Sequence, residues 1–106
     1  MVNKLNEILK FLGVPYARDN YNGKSNIYII WNLYYTDFSL YKNNKASERI
    51  EYVSINIYSK SNYEEIKEKL IQKINDSEDF TLLDIEKEDY EEETGYYHCP
   101  VRVMYL

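Results

Sequence analysis

Residues 27–41, IYIIWNLYYTDFSLY, leave this chain the least conformational freedom. β-branched and aromatic residues dominate the run, and they favour a strand over a helix. Successive strand side chains point to opposite faces. Alternation puts Ile27, Ile29, Trp31, Leu33 and Tyr35 on one face, and Tyr28, Ile30, Asn32, Tyr34 and Thr36 on the other. Both sets are partly apolar, so neither face is freely solvated. Helices on one side of a sheet can cover only one of them. The other is then an aromatic and aliphatic patch of a kind that soluble monomers seldom expose.

The remaining segments supply the helices and further strands. VNKLNEILKFLG spaces Val2, Leu5, Ile8, Leu9 and Leu12 for a helix over residues 2–12, stopped by Gly13 and Pro15. VPYARDNYNGKSN reads as a loop from its Gly, Pro and Asn content. KNNKASE is a polar turn, and the segment from Tyr41 to Glu48 is expected to be mobile in a free subunit. RIEYVSINIYS is a strand with Val53, Ile55 and Ile57 inward and Ser54 and Asn56 outward. SNYEEIKEKLIQKIN predicts a second helix with a stripe of Tyr63, Ile66, Leu70 and Ile74. Ser61 with Glu64, or Asn62 with Glu65, is placed to cap it. FTLLDIEKEDYE reads as a third strand with Leu83 and Ile85 inward, and YYHCPVRVMYL as a fourth. The order α-β-β-α-β-β predicts one α+β domain over residues 1–106, a four-stranded antiparallel sheet with both helices packed on one face.

Charge is unevenly distributed. Residues 1–50 carry 7 basic and 4 acidic side chains, whereas residues 76–106 carry 2 basic and 10 acidic. The chain as a whole has a formal net charge of -5. An acidic balance without a basic stripe argues against a nucleic-acid binder. The asymmetry suits a molecule that meets basic partners or copies of itself head to tail. Tyr occurs 13 times, and this large, stiff, amphipathic side chain suits interfaces. Asn, Glu and Lys interrupt the N-terminal apolar positions, so no secretory leader or membrane span is expected there. The single cysteine permits no internal disulfide and is compatible with a reducing cytoplasm.

The only histidine, His98, precedes the only cysteine, Cys99. Side by side they suggest a thiol nucleophile with its base. In a strand, however, they face opposite ways. Cys99 joins Tyr97, Val101 and Val103, an apolar set in which a thiol makes a poor thiolate. His98 joins Tyr96, Pro100, Arg102 and Met104 and is expected at a solvent or interface surface. Two such residues are too few for a zinc site. The scattered glycines make no phosphate loop. EKEDYEEE lacks the glycine and alternating spacing of a calcium loop and reads as a solvated hairpin tip. No catalytic residue, metal or cofactor is expected.

Taken together, several segments resemble the small tail-completion, or tail-terminator, proteins of long-tailed phages and prophages of Gram-positive bacteria. They are the short helix ending LGVPY, the Tyr-rich strand, the V-x-I-x-I-Y-S strand leading into an acidic-capped helix, and the closing YEEETGYYHCPVRVMY. The likeness is strongest from Ile50 onward and weakest over residues 14–26, and no single motif in it is diagnostic. The resemblance implies a structural virion protein without enzymatic activity, located at the tail neck and assembled in the bacterial cytoplasm. Copies would form a ring, usually a hexamer, on the head-proximal end of the tail tube. The ring would contact the tube protein and the head-neck connector, and DNA would pass through its lumen without specific binding. A head-side connector or another minor tail component is the alternative of the same class. A small enzyme and a regulatory module are readings of other classes, opposed by the divergent faces of His98 and Cys99 and by the acidic balance. The residues expected at a protein interface are Tyr28, Ile30, Tyr34, Tyr41, Asn43, Asn44 and Lys45.

Overall fold

The computed structural model describes residues 1–38 and 49–106. Its elements run α1 (Val2–Phe11), β1 (Tyr16–Arg18), β2 (Ile27–Asp37), β3 (Ile50–Ser59), α2 (Glu64–Asp76), β4 (Phe80–Ile85), β5 (Asp89–Glu91) and β6 (Tyr96–Tyr105). The class is α+β, with two helices and one mixed sheet among the described residues. The sheet has six strands, in the order β1-β2-β3-β6-β4, with β5 also paired to β6. The expected four antiparallel strands are therefore corrected by two short additions.

The first addition is β1. Residues 16–18 pair in parallel with Ile29–Trp31, where a loop was expected. Gly13, at φ +73, turns the chain out of α1. The Pro15 carbonyl then accepts from the Ile29 amide at 2.9 Å. Asp19 ends the strand in the left-handed region at φ 64, a conformation that Asp tolerates, and donates its amide to the Trp31 carbonyl at 2.8 Å. Three residues give no periodicity to read, and their partner decides their state.

The second addition is β5, which arises because the acidic edge strand is interrupted. Pro100 lies opposite the interruption. Its carbonyl accepts from the Glu86 amide at 2.9 Å, so its missing N–H faces the same edge. The edge loses one ladder bond there and splits into β4, paired to residues 101–105, and β5, paired to residues 96–98.

Two bulges reset the faces. The register of β4 shifts between Leu82 and Asp84, so Leu82 and Ile85 pack against the core, while Leu83 is exposed rather than inward as alternation implied. The register of β2 shifts between Leu33 and Tyr35. Tyr35 thereby comes opposite Tyr52 and leaves the Trp31 face on which strict alternation had put it.

The core lies on one face only. Leu5, Leu9 and Leu12 from the α1 region and Leu70 and Ile74 from α2 form one buried cluster with Ile29, Trp31, Val53, Ile55, Ile57, Cys99, Val101 and Val103. The clustered strand residues share one face, so both helices pack on that side of the sheet. Tyr63 and Ile66 pack against the cluster at its margin. At the start of α2, the Asn62 side-chain oxygen accepts from the Glu64 amide at 2.9 Å. No helix among the described residues is long and apolar enough to cross a membrane.

Candidate interaction surface on the open sheet face

The opposite face of the sheet carries cross-strand rows fixed by the register. The first row is aromatic. Tyr28 is opposite Tyr58, and Tyr58 is opposite His98. Their rings stack at centroid distances of 5.1 and 4.5 Å. Tyr21 extends the stack from the preceding loop, 4.4 Å from Tyr28, and Tyr96 meets Tyr28 edge-on at 5.3 Å. The loop fits closely around Tyr21. A Cβ on Gly23 would overlap the hydroxyl end of the Tyr21 ring, so only glycine allows this ring position without movement. The role of residues 14–26 was left open by the sequence; of these, Tyr16–Arg18 form β1 and the loop over residues 19–26 lays a fourth ring on the row. Tyr96 is tied down by donating its hydroxyl to the Ser25 carbonyl at 2.8 Å.

The middle rows are polar and internally satisfied. Asn56, only 8% exposed, donates to the Ile30 carbonyl at 3.2 Å and the Ser54 hydroxyl at 3.1 Å. Its Oδ1 faces His98 Nε2 at 2.8 Å, so Nε2 carries the proton that it donates. Arg102 forms a fork with Asp84, with Nε at 2.7 Å from Oδ1 and a second, very short contact from the guanidinium to Oδ2. This partner holds the Asp84 carboxyl below its ordinary range. The Arg102 guanidinium also sits 5.9 Å from the ring centroid of Tyr34.

The last row is aromatic again and more open. Because of the β2 bulge, the neighbours Tyr34 and Tyr35 both approach Tyr52, at 6.3 and 5.4 Å between centroids. Tyr34 is 44% exposed and Tyr35 is 56% exposed. Of the residues expected at an interface, Tyr28, Ile30 and Tyr34 share this face, but they differ in character. Tyr28 and Ile30 are half-buried within the rows, and Tyr34 is exposed. Tyr41, Asn43, Asn44 and Lys45 lie outside the described residues. Tyr21, Tyr35, Tyr52, Tyr58 and Asn56 also build the face. Tyr58 and Asn56 were legible from the alternation of β3, but Tyr21 and Tyr35 were hidden by loop geometry and by a bulge.

His98 and Cys99 do not meet. His98 stacks on the open face, whereas Cys99 is fully buried in the core on the other. Burial, reinforced by Glu88, pushes the Cys99 thiol up to about 12. It is a core residue with little thiolate at neutral pH.

Glu88 itself fills the break between β4 and β5. It accepts the Tyr63 hydroxyl at 2.6 Å and the Lys67 ammonium at 3.1 Å, tying the edge strand to α2. The Tyr63 bond and the Lys67 ammonium hold its carboxyl below the ordinary glutamate range against the opposing effect of burial. A carboxyl lowered in the folded state stabilises the fold above its unfolded value of about 4.3 and loses that contribution as pH falls through the folded value. Glu88 is about one-third exposed, so Glu88→Gln is expected to cost about 1 kcal/mol at neutral pH, less than an enclosed charged hydrogen bond. Denaturant melts of both proteins across the acid range should show the gap closing below about pH 4. A gap independent of pH would show that the carboxylate charge is not what holds the joint.

No protein-family model and no curated protein matches the chain.

Proposed function

We propose that this chain is a structural assembly subunit of the tail-terminator type. It associates with its own copies and with the end of a phage tail tube through the open sheet face. The observation that carries the reading is the distribution of cover. Both helices lie on one side of the sheet, and the other side presents Tyr34 and Tyr35 at one end and an ordered aromatic stack at the other. Tyr and Arg over a broad, firmly held surface are what binding hot spots are made of. The internally satisfied Asn56, His98, Arg102 and Asp84 make that surface rigid, which lowers the entropic cost of association. The divergent positions of His98 and Cys99 remove the one sequence feature that favoured an enzyme.

The test is genetic and visual. Deleting the gene from the phage or prophage that carries it is expected to give tails without heads and tubes of uncontrolled length under the electron microscope. Infectious particles with tails of normal length would contradict the reading.

A further inference from the structure

The segment between β4 and β6 is held to the domain by its edges and not by the core. The buried cluster and the residues packed against it take Ile85 and then no further residue before Cys99. Residues 86–94 are all exposed, and β5 within them pairs with β6 alone. At one end the Glu86 amide donates to the Pro100 carbonyl. At the other the turn closes on itself, with the Gly95 amide donating to the Glu91 carbonyl at 2.8 Å. Between them the Tyr90 ring meets Tyr97 at 4.8 Å between centroids. The charged tie is Glu88, bonded to Tyr63 and to Lys67 on α2. A segment with few buried apolar contacts opens at a fraction of the free energy of global unfolding.

This joint can come apart without stranding a charge. The groups that face Glu88 are Tyr63, Glu64 and Lys67 from α2 and Cys99 from β6, with Lys87 and Asp89 beside it on its own segment. Glu64 Oε1 lies 3.9 Å from Lys67 Nζ and keeps a carboxylate beside the ammonium when Glu88 leaves. Tyr63 lines an open depression at the start of α2, where water can replace the carboxylate. Lys87 and Asp89 pair with each other at 3.6 Å and leave together. Strand β6 keeps its place, because its other side is paired to β3 from Tyr97 to Tyr105. Cys99, fully buried, lies against Glu88 at the joint.

We propose that residues 86–95 are a strap latched by Glu88. The strap opens as a unit when Glu88 is protonated, while the rest of the sheet stays folded, and its opening uncovers the Cys99 thiol and the β6 edge at Tyr96–His98. In the open strap the carboxyl is solvated and binds a proton with its ordinary affinity, near pH 4.3 for glutamate. Closure is therefore favoured at neutral pH, and opening grows as pH falls below about that value.

Hydrogen exchange read by mass spectrometry on the wild type, Glu88→Gln and Glu93→Gln tests the strap. Glu93 is an exposed carboxylate of the same segment and serves as the control. At neutral pH, peptides covering residues 86–98 are expected to exchange about fivefold faster in Glu88→Gln than in the wild type, the scale of one partly exposed charged bond. Low denaturant should leave both rates unchanged. After correction for intrinsic exchange, the wild type should lose the same factor of protection below about pH 4 and meet Glu88→Gln there, with Glu93→Gln following the wild type. Slow labelling of Cys99 by a thiol reagent at neutral pH should be about fivefold faster in Glu88→Gln and equally insensitive to low denaturant. Exchange of residues 86–98 that climbs with denaturant in step with the core strands would overturn the strap, because the opening would then be global. Equal protection in the wild type and Glu88→Gln at every pH would overturn the latch. Cys99 labelling that follows denaturant while residues 86–98 do not would overturn the uncovering of the thiol.

Discussion

Cys99→Asp is expected to abolish folding. The Cys99 side chain is fully enclosed by the core of β3, β6 and the helices, so a carboxylate there would lose its water. The effective penalty for a buried, unpaired charge is several kcal/mol. Glu88 already stands beside this position as an anion, and its Lys67 partner is committed to it. A domain of this size has a total stability of about 5–15 kcal/mol, so the substitution removes most or all of it. Cys99→Ala is the control. It deletes only a small buried group and should cost about 1 kcal/mol, leaving a cooperative transition and intact assembly. Circular dichroism and denaturant melts of the two variants measure the contrast. A well-folded Cys99→Asp protein, or labelling of native Cys99 by a thiol reagent within seconds, would show that the residue is not in the core.

Tyr35→Asp is expected to leave the fold intact and to weaken self-association by about a hundredfold, the loss typical of a central hot-spot residue. Its ring is more than half exposed and rests on Tyr52 alone among the ring contacts described, so folding depends little on it. Tyr34→Asp should act in the same direction and also disturb the ring beneath the Arg102 guanidinium. Tyr28→Asp differs in kind. Its ring is enclosed between Tyr21 and Tyr58, so the substitution attacks the stack and should lower stability as well as association. Melting temperature and association constant therefore separate the positions. Tyr35→Asp moves the second alone, and Tyr28→Asp moves both.

Much of this architecture was legible where periodicity is long and unbroken. Leu5 and Leu9 in α1, Leu70 and Ile74 in α2, and Val53, Ile55 and Ile57 in β3 all lie where their spacing implied. The same rule correctly sent His98 and Cys99 to opposite faces. Periodicity fails where one residue is inserted. The bulge after Leu33 turned Tyr35 over to the open face, and the bulge after Leu82 turned Leu83 out. Nothing in the two local sequences marks these insertions, because tyrosine and leucine are at home on either side of a strand. The interruption at residues 86–88 had a readable cause in Pro100, but only once the two segments are known to be neighbours. Strand β1 depends wholly on its partner, since Tyr16, Ala17 and Arg18 show no strand pattern of their own. The open face was partly legible. The two-faced character of residues 27–36 identified it, but its ordered rows are completed by Tyr52, Ser54, Asn56 and Tyr58 of β3, by Tyr96, His98 and Arg102 of β6, and by Tyr21 of the residue 19–26 loop, whose pairing with β2 only the fold reveals.

The proposed role turns on whether the open face is buried against other molecules. Sedimentation velocity on the wild-type chain and on Tyr35→Asp, each alone and mixed with the tail-tube protein that the proposed role requires, at low and high salt, measures this in solution. The wild type is expected to form ring-sized species, at high concentration or on the tube end, with faster assembly at low salt because complementary rims steer the encounter. Tyr35→Asp is expected to remain monomeric under the same conditions. Wild-type protein that stays monomeric in every mixture, indistinguishable from Tyr35→Asp, would contradict the assembly role.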